Sequence, residues 1–416
     1  MENGPLITND AVNLGILMAI LAFVFVTSHS ERPGWKRFYS VVPSLLVCYF
    51  LPSVLTTLGV YDPDQSQLYF VASRYLLPAS LVLLTLSIDL PAIMRLGPKA
   101  GIMFLAGTFG IIVGGPLAII LVSWVNPEIV GGSGPDAVWR GMTTVAGSWI
   151  GGGANQTAMK EVFEVGDDIF SAMIAVDVIV ANIWMAVLLF GIGRSAKIDR
   201  FLQADTTAIE VVRKRVEDYQ AQVRRIPDLT DLMKVLGVGF GVMGLSHLLA
   251  DLIAPWLQTN APSLERYNLT SGFFWIVVIA TTAGLVLSYT RLRDLEGVGA
   301  SRIGSALLYV LIAAVGMRMN LLAVAENPGL FAVGAVWIGF HALVLIIVAK
   351  LIRAPYFFLA VGSQANVGGA ASAPIVASAF HPALATVGVL LAVLGYALGT
   401  YGAWLCGQLM RLVVPA

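Results

Sequence analysis

Apolar residues run through this chain in blocks of about twenty, separated by short polar turns, and the blocks recur from end to end. At 1.5 Å per residue, one such block crosses a hydrocarbon layer about 30 Å thick. The pattern predicts long spans at about 11–29, 38–60, 68–91, 99–125, 168–193, 232–256, 272–290, 302–322, 330–351 and 382–412. Two further apolar pieces, at about 138–162 and 355–379, are too rich in glycine and polar residues to be plain spanning helices. A charged segment, 194–231, divides the chain into halves of five spans each. Within it Leu202, Ile209, Val212, Val216, Tyr219 and Val223 follow a three-four spacing. That spacing predicts an amphipathic helix, either a linker lying on the membrane or the protein, or a dimer contact.

Composition agrees with the pattern. Hydrophobic residues make up 57% of the 416 positions and charged residues 12%, about half the charged share of a soluble domain. Basic and acidic residues balance at 25 each, so no nucleic-acid footprint is expected. Cys48 and Cys406 lie in apolar spans, which argues against a disulfide framework. No basic residue precedes the first span, so it is expected to be a retained helix and not a signal peptide.

Basic residues orient the spans. Arg32, Lys36, Arg37, Arg95, Lys99, Arg291, Arg293, Arg302, Lys350 and Arg353, with the segment 194–231, all fall on one side under one condition. The N-terminus must be outside, and each glycine-rich piece must enter and leave on the same face. The positive-inside rule therefore favours two re-entrant hairpins over crossing broken helices, with 194–231 cytoplasmic and the chain in the inner cell membrane.

The two pieces repeat one another. Ala146–Met159 reads AGSWIGGGANQTAM, and Val361–Pro374 reads VGSQANVGGAASAP. Gly147-Ser148 answers Gly362-Ser363, and Gly152-Gly153-Ala154 answers Gly368-Gly369-Ala370, with a one-residue slip. An odd number of spans per half inverts the second copy. The expected fold is an all-α polytopic membrane protein of two inverted repeats, 1–193 and 232–416, joined by the linker 194–231. Each repeat holds about five spanning helices and one glycine-broken, re-entrant or discontinuous, segment. Inverted repeats interrupted at matching places mark a carrier's binding site. Irregular backbone survives at membrane depth only when buried in protein or lining a wet cavity.

Candidate binding residues follow. Gly151, Gly152 and Gly153 free the backbone, while Ser148, Asn155, Gln156 and Thr157 add donors and acceptors beside the break. Ser363, Gln364, Asn366, Gly368, Gly369 and Ser372 do the same in the second half. The glycines also suit tight helix packing alone. Asp177 stands about 13 Å along its span from Asp168, at mid-membrane, where a carboxylate must be neutralised, paired or wet. It is a candidate cation or proton site, a sodium ion with carbonyls near Gly151 and Asn366 included; an internal ion pair is the alternative. Asn182 lies nearby on the same span. Asp89 and Asn320 occupy matching turns as secondary candidates, with Arg318 placed to pair an anion or snorkel; Arg74 and Arg140 share that ambiguity. His247 and Asp251, four apart, are expected to pair. His341 is expected to be a hydrogen-bonded core residue.

In these motifs the chain resembles the sodium/glutamate symporters and the 2-hydroxycarboxylate transporters, and more broadly the cation/proton antiporter and anion transporter superfamily. It is most similar to an uncharacterised membrane family of domain-of-unknown-function status within that superfamily. The resemblance covers nearly the whole chain. It implies a transport domain that moves, elevator fashion, against a scaffold domain within a homodimer. It also places Asp177 where proton-coupled members carry an acidic residue. This chain reads GGGAN and NVGGA where those families repeat GGNG, so neither family's substrate is implied.

Other signals are discounted. Gly239–Gly244 matches GxGxxG inside an apolar span, and close packing through Gly237 and Gly241 is the expected reading. Asn268-Leu269-Thr270 matters for glycosylation only in a glycosylating host. No HExxH, GxSxG or metal-spaced Cys/His set occurs. The expected function is secondary active transport of a small organic solute, expected to be anionic, coupled to sodium or protons. A cation/proton antiporter with no organic substrate uses the same parts. An intramembrane enzyme acting through Ser148 or Asp177 lacks a partner acid or base, so no catalytic residue and no cofactor beyond a sodium ion is expected. The partners expected are the solute, the bilayer and a second copy of the chain.

Overall fold

A computed structural model describes residues 5–39, 42–205, 228–319, 327–381 and 384–414. Among these residues the chain is helical almost throughout, and its isolated backbone bridge joins Ile7 to Tyr61. Eight helices are long and apolar enough to cross a membrane, or ten if two bent helix pairs each count as one span. The protein is therefore a multi-pass membrane protein, helical almost throughout its described residues, and these candidate spans fall where the hydrophobic blocks lie.

The first half runs α1 (Asp10–Ser28), α2 (Pro33–Tyr39), α3 (Ser44–Thr57), α4 (Leu68–Leu86), α5 (Leu90–Arg95), α6 (Pro98–Ser123), α7 (Val138–Val162) and α8 (Asp167–Ile192). A short α9 (Ser195–Leu202) follows. The second half runs α10 (Leu229–Asn260), α11 (Gly272–Leu287), α12 (Ala300–Arg318), α13 (Gly329–Leu351), α14 (Tyr356–Val367), α15 (Gly369–Phe380) and α16 (Ala385–Val413). Local chemistry sets several boundaries. Asn9 accepts from the first N–H groups of α1, and Asp228 forms a capping box with Asp231 at the head of α10. A π turn at Ala72–Leu76 widens α4 beside Arg74.

Two segments turn back instead of crossing. As one straight helix the 25 residues of α7 would reach about 37 Å. Yet Arg140, near its start, donates to the Phe163 carbonyl just past its end. The Trp139 and Phe163 rings also meet edge-on at 6.0 Å. The turn is at Gly152, whose φ of 75° and ψ of −177° lie outside the helical region. In the same way α14 and α15 fold together about Gly369, φ 58°. The ring of Phe380, at the end of α15, lies 5.9 Å from Tyr356 and 5.3 Å from Phe357, at the start of α14.

The hairpins open at opposite ends of the bundle. At the mouth of α7, Asp167 pairs with Arg318 at 2.9 Å, and Arg318 with Asp64 at 3.4 Å. The start of α1 lies at that end too, its Asp10 accepting from Ser66 at 2.6 Å. At the mouth of α14–α15, the Tyr356 N–H donates to Asp199 at 2.6 Å. Lys99 there reaches Asp205 at 3.4 Å and the Arg353 carbonyl at 3.1 Å. Burial at this second mouth raises the Asp199 carboxyl above its ordinary range, while the Tyr356 N–H opposes that rise.

Helix contacts gather into two groups. One comprises α1, α3, α4, α10, α11 and α12. The other comprises α6, α7, α8 and α13 to α16, so both hairpins belong to it. Glycines on α16 make its close approaches: a Cβ on Gly388 would sit 2.5 Å from the Ala373 carbonyl of one hairpin, and one on Gly399 2.6 Å from Gly151 Cα of the other. At the mouth of α7 the groups are joined by charge. Arg74 pairs with Glu161 at 2.9 Å, Tyr69 donates to Glu161, and Lys160 reaches Asp167 at 2.5 Å and the Tyr69 hydroxyl at 3.2 Å.

Two expectations change, and a third lies mostly outside the described residues. Cβ atoms on Gly237 and Gly241 would meet nothing within 4 Å, whereas one on Gly239 would meet Leu83 at 3.1 Å, so Gly239 makes the close approach on α10. His247 does not pair with Asp251: its Nε2 bonds to the Arg74 carbonyl at 2.8 Å, and Asp251 is exposed. The π turn at Arg74 brings that carbonyl within reach. Of the amphipathic stripe in 194–231 only Leu202 is among the described residues, and it is buried.

Candidate functional site

Gly152 sets the first hairpin's tip. A positive φ disfavours any residue with a Cβ, and the arms then close at once. A Cβ on Gly147 would lie 2.5 Å from the Asn155 carbonyl oxygen, eight residues on. A straight helix would separate those residues by about 12 Å. The fold-back brings Ser148 and Trp149 of one arm beside Gln156 of the other.

These three residues surround Asp177, at the middle of α8. Gln156 Nε2 donates to Asp177 Oδ2 at 2.8 Å, and the Tyr49 hydroxyl donates to Gln156 Oε1 at 3.3 Å. Ser148 and Trp149 face the same carboxylate. Asp177 is 4% exposed, and Tyr49, Trp149 and Gln156 are buried. Among the described residues no lysine or arginine pairs with Asp177, which rules out an internal ion pair with any of them. The buried Trp149 indole N–H is directed at this carboxylate but falls short of ordinary hydrogen-bond geometry. Ser148, Gly152 and Gly153 are only half-buried.

The second hairpin spends its polar groups differently. Ser363 Oγ accepts from the Trp184 indole at 2.8 Å and bonds to His341 Nε2 at 2.8 Å. His341 Nδ1 bonds to the Gly107 carbonyl at 3.0 Å; with both ring nitrogens engaged, it is the core residue expected. Gln364 Nε2 donates to Ser372 across the tip at 2.7 Å, and Gln364 Oε1 is buried without a partner. Gly368 and Gly369 at this tip are half-buried.

One arrangement recurs in both hairpins. Asn155 Nδ2 donates to the Gly151 carbonyl at 3.0 Å and the Tyr396 carbonyl at 3.1 Å, while its Oδ1 accepts from Thr400 at 2.6 Å. Asn366 Nδ2 donates to the Gly362 carbonyl at 3.0 Å and the Phe104 carbonyl at 2.9 Å, while its Oδ1 accepts from Thr108 at 2.8 Å. Each asparagine thus ties its own hairpin to a carbonyl and a threonine one helical turn apart on a long helix, α16 or α6. Asn155 follows its break and Asn366 precedes its own, so the pattern sits on opposite arms.

The remaining candidates separate from this centre. Thr157 donates to the Gly153 carbonyl at 3.1 Å, and Asn182 to the Val178 carbonyl at 2.7 Å, each within its own helix. The Gly151 carbonyl accepts from Asn155 and keeps a second lone pair. Arg318 is bound by Asp167 and Asp64, and Asp89 meets Arg293 at 3.3 Å. Asn320 lies outside the described residues. Sequence reading missed Tyr49, Trp149, Trp184, Thr108, Tyr396 and Thr400 as members of these networks. All are ordinary residues for apolar spans, and only the fold-back of the hairpins brings their partners within reach.

A family model described as a protein of unknown function, DUF819, matches residues 15–413. The uncharacterized membrane protein YjcL of Bacillus subtilis (strain 168) is 23% identical over 386 residues, covering 89% of this chain and 90% of that protein.

Proposed function

From the premise that the chain belongs to the DUF819 family, we propose that it is a secondary active transporter of a small organic anion, coupled to sodium or protons through Asp177. The observation that carries this reading is the buried Asp177 carboxylate, without a basic partner among the described residues, held by the amide of a glycine-broken hairpin. Asp177 and Ser148 would offer carboxylate and hydroxyl oxygens to a sodium ion, or Asp177 would take a proton. The half-buried tip glycines Gly152, Gly153, Gly368 and Gly369 leave backbone groups for the solute.

Two further features support alternating access. The hairpins open at opposite ends, as an inverted repeat with boundaries near 193 and 232 requires, and both belong to one of two helix groups. That group would be the moving domain, and α1, α3, α4 and α10 to α12 the scaffold, within a homodimer of the kind the resembled superfamily forms. The end bearing Lys99, Arg293 and Arg353 would be cytoplasmic, in an inner cell membrane. Gln156 would couple the steps, because it bonds Asp177 on one side and the scaffold's Tyr49 on the other. A change of charge at Asp177 therefore alters a contact between the two groups.

The test is uptake into proteoliposomes of labelled mono-, di- and tricarboxylates under an imposed sodium or pH gradient. Saturable uptake that follows one gradient and is lost in Asp177→Asn is expected. Sodium or proton exchange with no organic uptake would favour the antiporter reading. Flux indifferent to both gradients would overturn both.

A further inference from the structure

A second polar site lies away from Asp177, at the end of the bundle where α7 opens. A cavity of about 850 Å³ is walled on one side by Trp139, Arg140 and Arg411, from the hairpin-bearing group. Its other wall is the turn after α10, with Ser263, Glu265 and Arg266. Three arginines thus face two carboxylates, Glu164 and Glu265, and among the described residues none of the five forms an ion pair. Arg140 and Arg411 stand close enough to repel each other, and at Arg140 the Glu164 carboxylate outweighs that repulsion. Each guanidinium is held by a neutral group: Arg140 by the Phe163 carbonyl, Arg411 by the Arg266 carbonyl, and Arg266 over the Tyr267 ring at 4.5 Å. A guanidinium has five donors, so most of theirs remain for a ligand.

We propose that this cavity binds a small soluble polycarboxylate, whose carboxylates engage Arg140, Arg411 and Arg266 and so bridge the two helix groups. Planar guanidinium forks match carboxylates bidentately. The cavity is far larger than a single inorganic ion needs, and it exceeds the ~300 Å³ at which small-molecule pockets begin. The site uses none of the groups around Asp177, so it stands whether or not transport is coupled there.

The test is calorimetric titration of citrate into the detergent-purified full chain, at constant ionic strength set with chloride. Arg411→Gln, and separately Ser263→Glu, are expected to weaken binding about tenfold or more. Glu265→Gln is expected to tighten it, and Asp177→Asn to leave it unchanged. Ser263 is an exposed turn residue, so Ser263→Glu reports on charge without removing an internal bond, and its melting temperature without citrate should match the unaltered protein. No citrate binding to the unaltered chain would overturn the proposal. So would binding that ignores all three cavity substitutions, or binding lost in Asp177→Asn alone, which would assign citrate to the Asp177 site.

Discussion

Replacing Asp177 by asparagine removes one charge and almost no volume, so the effects of charge and packing separate. The neighbouring network can adapt. Gln156 now donates to Asp177 Oδ2 and accepts from Tyr49; turning the Gln156 amide over would let it accept from the new amide and donate to the Tyr49 oxygen. A charge-assisted bond of about 1.5–3 kcal/mol becomes a neutral one of about 0.5–1.5, while the desolvation cost of a buried carboxylate disappears. These changes oppose each other, so Asp177→Asn is expected to fold and to melt at or above the temperature of the unaltered protein in sodium-free buffer. Ligand response should behave otherwise. An ion one hundredfold above its dissociation constant stabilises the folded state by about 2.7 kcal/mol. At about 2–4 °C per kcal/mol for chains of 150–250 residues, that is a shift of several degrees. Thermal unfolding in detergent, with sodium or choline at two pH values, reads it. The unaltered protein should show a sodium or pH response that Asp177→Asn lacks. A full response retained in the variant would refute the assignment of the ion to Asp177.

Gly399→Ala places a methyl 2.6 Å from Gly151 Cα, so it should cost about 1–3 kcal/mol. Gly241→Ala enters open space and should be neutral or gain up to about 1 kcal/mol of helix propensity; comparative melting ranks the two. Asn155→Ala and Thr400→Val remove the two ends of a 2.6 Å hydrogen bond, and a double-mutant cycle should return a coupling of about 1 kcal/mol; strict additivity would deny the bond. Single cysteines at Ser133 and Glu164, in a background without Cys48 and Cys406, should react with an impermeant maleimide from the same side of the membrane, and one at Asp205 from the other. Labelling of Ser133→Cys and Glu164→Cys from opposite sides would mean that α7 crosses.

Spans were legible because lipid imposes one requirement on a helix, an apolar length, and composition alone records it. Hairpins were half legible. A run such as Gly151-Gly152-Gly153 announces a break, and the count of basic loops favoured its turning back. Which glycine turns could not be read, because Gly152 takes the positive φ while Gly151 owes its identity to the backbone of α16 pressed against it. Asp177 was legible from its isolation in an apolar span. Its neighbours were not, since Tyr49 lies 107 positions from Gln156 and carries no periodic mark. The His247–Asp251 expectation failed for a local reason. Spacing of four brings side chains together only when neither has a better partner, and the π turn at Arg74 supplied one.

The two asparagines bear on how a moving domain could hold its shape. Hairpin tips expose backbone groups, and without a tether they would fray into lipid or solvent. Asn155 and Asn366 each bind both their own arm and a long helix, using three hydrogen bonds apiece. Both anchoring helices, α16 and α6, lie within the group that carries the hairpins. The tips are therefore fixed to that group, whereas Gln156 alone of these amides reaches across to Tyr49 on the other. In the proposed cycle the hairpins would travel as rigid parts and the Gln156–Tyr49 contact would break and re-form. Conservative changes at Tyr49 should thus act on the two groups' relative position more than on ion affinity. Tyr49→Phe is expected to change the rate of solute uptake while leaving the sodium- or pH-dependent melting shift in place. A melting shift abolished along with uptake would place Tyr49 in the ion site itself.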